Sequence, residues 1–203
     1  MIEKISWLGH ASFKIEDDKV VYIDPWKLGR AESADIILVT HSHYDHCSPQ
    51  DVARLQKEGT VIITVADCAG KFRGDVRVLK PGDSLKIDRV TIEAVPAYNT
   101  DKPNHPKAAG WVGFIIEMGG SRIYHAGDTD LIPEMDEIKA DIALLPVGGT
   151  YTMTAEEAAQ AAERINPQVA IPMHYGEIVG SRADAEKFKR LCSCEVRILE
   201  PGR

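Results

Sequence analysis

The chain has 203 residues, 44% of them hydrophobic and 27% charged, with 24 basic against 31 acidic side chains for a net charge of −7. That length suits one domain with a sizeable core, running over residues 1–203, and the ordinary balance of apolar and charged residues excludes a disordered or fibrous chain. The acidic excess argues against a broad nucleic-acid face, so no nucleic acid is expected as a partner. Neither a secretory leader nor an apolar run of membrane-spanning length is visible, so no membrane insertion is expected. Cys47, Cys68, Cys192 and Cys194 show no disulfide framework, which makes a reducing cytoplasm the expected location. Cys192-Ser193-Cys194 lacks the partner ligands that a thiolate metal site would need.

In chain order, Ile2–Leu8, Ala11–Glu16 and Val20–Asp24 read as short strands, the last two joined at Asp17-Asp18. Ile36–Val39 is aliphatic without polar alternation, as in a buried strand. Ser48-Pro49 has the N-cap and first-turn residues of a helix over Pro49–Glu58. A strand at Val61–Val65 and a small turn or helix near Asp67–Lys71 follow. Strands at Arg77–Leu79, Ser84–Ile87 and Val90–Val95 come next, punctuated by Pro81-Gly82-Asp83. Tyr98–Ala109 is polar, holds Pro103 and Pro106, and is too long for a hairpin turn, which marks a functional or mobile loop. Trp111–Glu117 and Arg122–Tyr124 flank a Gly119-Gly120 turn, and Ile142–Leu145 and Val169–Pro172 are further buried strands. Thr154–Ile165 is a helix with a Thr154/Glu157 capping box. Ser181–Cys192 is the last helix and Glu195–Leu199 the last strand.

Three polar clusters fall at strand ends: His41–His46, His125–Asp130 and His174. Open α/β sheets place ligands at such ends. In an extended loop His41 and His43 point the same way and can grip one ion, while Asp45 and His46, past a turn, face a second. Imidazole and carboxylate donors without thiolate favour zinc, with manganese or iron as alternatives. Two ions about 3.5–4 Å apart would bridge a hydroxide and clamp a hydrolytic displacement. Asp128, after a glycine that permits close backbone approach, is the natural bridging carboxylate, and His174 completes the second ion's set. Asp24, at a strand end, is placed to orient a ligating imidazole from behind, and His10 is a candidate to line the site.

The segments Trp7-Leu8-Gly9-His10, Ile23-Asp24-Pro25, His41–His46, Tyr124–Thr129, Leu144–Gly149 and Ile171–Tyr175 together resemble the metallo-β-lactamase superfamily. They are similar to its stand-alone metal-dependent hydrolases, the branch that also holds ascorbate-6-phosphate lactonase and N-acyl-phosphatidylethanolamine phospholipase D. The resemblance implies an α/β fold, a four-layer αββα sandwich with a dinuclear site on one edge. It implies metal ligands at His41, His43, Asp45, His46, Asp128 and His174. The family takes a third histidine for the first ion from mid-chain, where this sequence reads Val95-Pro96-Ala97-Tyr98-Asn99. His105, from the following loop, or the amide oxygen of Asn99 would have to serve, and imidazole is the better donor.

The expectation is a hydrolase that uses a metal-bound hydroxide on an ester, lactone or phosphodiester of a small molecule. Asp45 would orient the nucleophile and accept its proton, and Tyr98, Lys107 and Tyr175 are candidates to touch the substrate. A homo-oligomer is compatible with this reading. The alternatives are a nuclease of the same superfamily, a diiron redox protein on this fold, and a metal-binding scaffold without catalysis.

Overall fold

The computed structural model describes residues 1–30 and 32–202. Its first sheet takes six strands in chain order: β1 (Ile5–Gly9), β2 (Ser12–Glu16), β3 (Val20–Ile23), β4 (Ile36–Leu38), β5 (Val61–Thr64) and β6 (Asp75–Val78). β1 to β3 form an antiparallel meander and β3 to β6 run parallel. The second sheet takes the remaining seven: β7 (Ser84–Ile87), β8 (Val90–Pro96), β9 (Val112–Met118), β10 (Ser121–His125), β11 (Ile142–Pro146), β12 (Val169–Met173) and β13 (Glu195–Val196). Here β7 to β10 are antiparallel and β10 to β13 parallel. The chain therefore passes from one sheet to the other at Leu79–Asp83.

Side-chain pattern follows strand environment. Ile36, Ile37 and Leu38 are all fully buried, as an interior parallel strand requires, while β8 alternates with Val90, Ile92 and Ala94 inward. The edge strand β6 carries Asp75 and Arg77 paired to each other, charges that discourage a foreign strand from adding there. Buried residues of both sheets, such as Phe13 and Ile37 with Phe114 and Leu144, join in one continuous core. The helices lie outside it, which gives the α/β sandwich its four layers.

The helices are α1 (Pro49–Leu55), α2 (Ala66–Ala69), α3 (Ala155–Ile165) and α4 (Arg182–Leu191), and side-chain caps set the starts of α1 and α3. Ser48 Oγ accepts the Asp51 N–H, and Thr154 and Glu157 exchange both bonds of a capping box, each cap contributing about 1 kcal/mol. Ala158, Ala161, Ala162 and Ile165 form the buried stripe of α3.

Several boundaries differ from the sequence expectation. The first strand begins at Ile5, because Ile2–Lys4 closes a 3-10 turn. α1 stops at Leu55 rather than Glu58, since Gln56 is already extended. β13 has two residues instead of five, although the Arg197 N–H still bonds the Ala170 carbonyl. Among the described residues, no helix is long and apolar enough to cross a membrane.

Candidate metal centre

The loop after β4 turns at His43, whose carbonyl accepts the N–H groups of His46 and Cys47 at 3.1 and 2.8 Å. That turn sends His41 and His43 one way and Asp45 and His46 another. The donor atoms of His41, His43 and His105 lie within 4.8 Å of one another, and so do those of His10, Asp45, His46 and His174. Asp128 sits between the two groups. Its Oδ2 lies 3.2 Å from His105 Nε2, 3.0 Å from His174 Nε2 and 3.9 Å from His41 Nε2, and its Oδ1 lies 3.4 Å from His46 Nε2.

Each donor is held by local geometry. Gly127, at φ +64°, sits where an added Cβ would meet the Val112 carbonyl oxygen at 2.8 Å, and a Cβ on Gly113 would meet the His125 and Ala126 oxygens at 2.7 Å. Only glycines let the Asp128 loop press onto β9 this closely. His174 ends β12 at φ +58°, and its carbonyl oxygen would be 2.4 Å from a Cβ on Gly148. His105 hangs from the long loop, tied to Asn99 Oδ1 by its backbone N–H and by Nδ1. Asn99 thus spends its oxygen on His105 and its amide donors on Asp130 and the Tyr151 carbonyl; it supports the imidazole and is not placed as a ligand itself.

Asp24 is fully buried behind the loop. Its Oδ2 accepts from His46 Nδ1 at 2.8 Å and from the Thr40 hydroxyl at 2.7 Å, while Oδ1 accepts the Thr40 N–H. Thr40 Oγ1 in turn lies 2.9 Å from His41 Nδ1. One carboxylate therefore fixes the tautomer of two imidazoles and leaves both Nε2 atoms free for a cation. His10 reaches Asp45 Oδ2 with Nε2 at 2.9 Å and packs its ring 4.0 Å from that of His174.

Burial keeps His41 and His43 well or moderately below the usual imidazole range, with neighbouring imidazoles adding to the effect. Burial opposes ionisation of Asp45, but the His10 hydrogen bond and nearby imidazoles bring it down to about 2. Asp128 is likewise held far below the carboxylate range against its burial, chiefly by His174 and His46. The site thus sets ionised Asp45 and Asp128 beside His41 and His43 imidazoles held neutral, protonation states that suit a cation. His46 is the exception: burial lowers it, but Asp128 and Asp24 push it well up.

Buried His46 Nε2, His105 Nε2, His174 Nε2 and Asp128 Oδ1 have no hydrogen-bond partner. An unmet buried polar atom costs on the order of 1–3 kcal/mol, so four on converging side chains mark the place of cations. The donors present fit divalent ions.

A cavity of about 220 Å³ opens over this centre, lined by His43, Tyr44, Asp45, Asn104, His105, Asp128, Tyr151, His174 and Ile178. Three residues expected near the substrate are placed elsewhere. The Tyr98 hydroxyl donates to Glu134, Lys107 pairs with Glu134 and lies over the Tyr98 ring, and Tyr175 stacks on Trp7 at 4.9 Å. His125 also lies off the cavity, bonded to the Ala11 carbonyl. Sequence reasoning missed Tyr44, Asn104, Tyr151 and Ile178, and missed Trp111, whose indole packs 4.8–5.6 Å from the rings of His41, His43 and His105. Tyr44 lies inside the histidine motif and could have been found there; nothing local pointed to Ile178.

The model of the beta-lactamase superfamily domain matches residues 4–174. The chain is 36% identical over 220 residues to a UPF0173 metal-dependent hydrolase of Pyrococcus furiosus, covering 98% of this chain and 97% of that one. The chain belongs to the metallo-β-lactamase superfamily. Within that superfamily it falls among the metal-dependent hydrolases, and it is an enzyme of that kind. A crystal structure of a protein from Parabacteroides distasonis assigned as a metal-dependent hydrolase superposes with TM-score 0.87 at 37% identity, covering 97% of this chain and 93% of that one. Igni18, a metallo hydrolase from Ignicoccus hospitalis, superposes with TM-score 0.79 at 29% identity, covering 98% and 95%.

Proposed function

We propose that this superfamily hydrolase uses two divalent cations, zinc foremost, to cleave an ester, lactone or phosphodiester bond of a small molecule. The observation that carries the reading is Asp128, whose carboxylate lies within 4 Å of imidazole nitrogens from both donor groups. His41, His43 and His105 would hold one ion, Asp45, His46 and His174 the other, with Asp128 touching both. Bound cations lower the pKa of water towards neutrality and offset the charge that develops on the substrate.

The chain's own residues supply the rest. Asp45 faces the cavity with its carboxylate ionised, and the bond from His10 to one oxygen holds it oriented toward an attacking water. The Trp111 indole covers the back of the first donor group and keeps bulk water off its imidazoles. Four cysteines without disulfides support a reducing, cytoplasmic setting. A nuclease is disfavoured because, among the described residues, no lysine or arginine lines the cavity.

Metal analysis of the purified protein, joined to an ester, lactone and phosphodiester panel run with and without chelator, tests the reading. Bound zinc with chelator-sensitive turnover is the expected result. Undiminished turnover in metal-free protein overturns it.

A further inference from the structure

Resting on that reading, the mouth of the cavity says what the substrate carries beyond its reacting bond. Among the described residues the strongly exposed large apolar side chains are Tyr44, Val78, Ile178 and Leu191, and two of these, Tyr44 and Ile178, line this one cavity. Ile178 is 49% exposed and Tyr44 69%, surfaces that water leaves readily when a ligand covers them.

Ile178 is also held there under strain. It adopts φ +63°, a region that a β-branched residue enters only when its surroundings force it. Gly176 and Gly180, at φ +81° and +62°, flank it, and the Val179 N–H closes on the Glu177 carbonyl at 2.6 Å. A Cβ on Gly180 would lie 2.9 Å from Gly148 Cα, so the turn is wedged against the Gly148 segment and has no room to relax. Asparagine or glycine would meet this backbone at less cost, and strain of this kind gathers at ligand clamps.

Tyr44 is braced as well. Tyr44 packs edge-on to Trp26 at 6.0 Å, Lys27 lies 4.1 Å over Trp26, and its ammonium reaches Glu177 at 3.5 Å. The rim therefore runs from Tyr44 through Trp26, Lys27 and Glu177 to Ile178, with Lys27 paired to Glu177. Lys102 is bound to Asp130 and Lys107 to Glu134. The remaining polar lining at the mouth, Asn104 and Tyr151, is uncharged.

We propose that the group projecting from the metal centre is a short, uncharged, apolar substituent of the substrate, packed against Ile178 and Tyr44. The small cavity sets the limit on its length, and the exposed Tyr44 and Ile178 surfaces favour a group that has little water to give up on entering.

Choline and 3,3-dimethylbutanol have nearly the same shape and differ in charge, so they isolate this claim without requiring turnover. Ligand-observed NMR titration of the metal-loaded protein should give a dissociation constant about tenfold lower for the neutral alcohol. Ile178→Asn should cut that preference to about threefold or less while melting at or above the wild-type temperature, because asparagine tolerates the left-handed backbone. Tyr44→Ala, a change at the surface, should cut it likewise. Equal or tighter choline binding, a preference that survives both variants, or no binding of either alcohol overturns the proposal. Metal content and cleavage of 3,3-dimethylbutyl acetate, measured on the same sample, report on the hydrolase reading separately: metal and turnover without alcohol preference sink only the mouth assignment, and alcohol preference without metal sinks only the catalytic one.

Discussion

Asn99 Oδ1 accepts both the backbone N–H and the imidazole Nδ1–H of His105, each at 2.9 Å. This double contact sets the tautomer that leaves His105 Nε2 bare toward Asp128. Asn99→Ala should weaken metal binding at the His41, His43 and His105 group about 10–100-fold. A metal-competition titration reads this directly, and unchanged affinity for both ions would show that His105 needs no such support.

Asp24→Asn tests the deeper carboxylate. Whichever way its amide turns, asparagine sets its NH2 against a donor, either His46 Nδ1–H with the Thr40 hydroxyl or the Thr40 N–H, so the loop must shift or His46 must change tautomer. The expected outcome is a folded protein whose metal affinity and kcat/KM both fall about 10–100-fold. Full occupancy with full activity would remove Asp24 from the positioning of His46.

Stripping the cations should destabilise the fold as well as silence it. The partnerless atoms on His46, His105, His174 and Asp128 are buried whether or not an ion is present, so an ion that satisfies them binds the folded state alone. Metal at about a hundred times its dissociation constant adds about 2.7 kcal/mol to stability. Thermal unfolding with and without chelator should show a lower Tm for the stripped protein and recovery on adding zinc.

Gly113→Ala probes the packing that sets Asp128. The new Cβ would meet two carbonyl oxygens at 2.7 Å, and backbone cannot step aside as a flexible side chain would. Urea unfolding should register a loss of about 1–3 kcal/mol. Metal affinity should fall with it, because the loop that carries Asp128 is what moves.

The donors were legible because their spacing is local. Four of them fall within six consecutive residues after an unbroken aliphatic strand, His174 follows the apolar strand Val169–Met173, and Asp128 follows the end of a more polar strand, Ser121–His125. The capping box at Thr154 and the interior strand at Ile36 were equally plain, since each needs only its neighbours. What stayed hidden depends on contacts between distant segments. Asn99 reads as a weak donor until its oxygen is seen to be occupied by His105, and His10 meets Asp45 across 35 positions of chain. Tyr98, Lys107 and Tyr175 looked like substrate contacts because polar and aromatic residues near a motif invite that reading. Their partners Glu134 and Trp7 lie far along the sequence and draw them elsewhere.

The passage between sheets at Leu79–Asp83 divides more than the strands. His41, His43, Asp45 and His46 belong to the first sheet's half of the polypeptide, and His105, Asp128 and His174 to the second's. Each prospective ion would draw on both halves, so it would act as a rivet across the seam, and either half in isolation would carry only a fragment of a chelate.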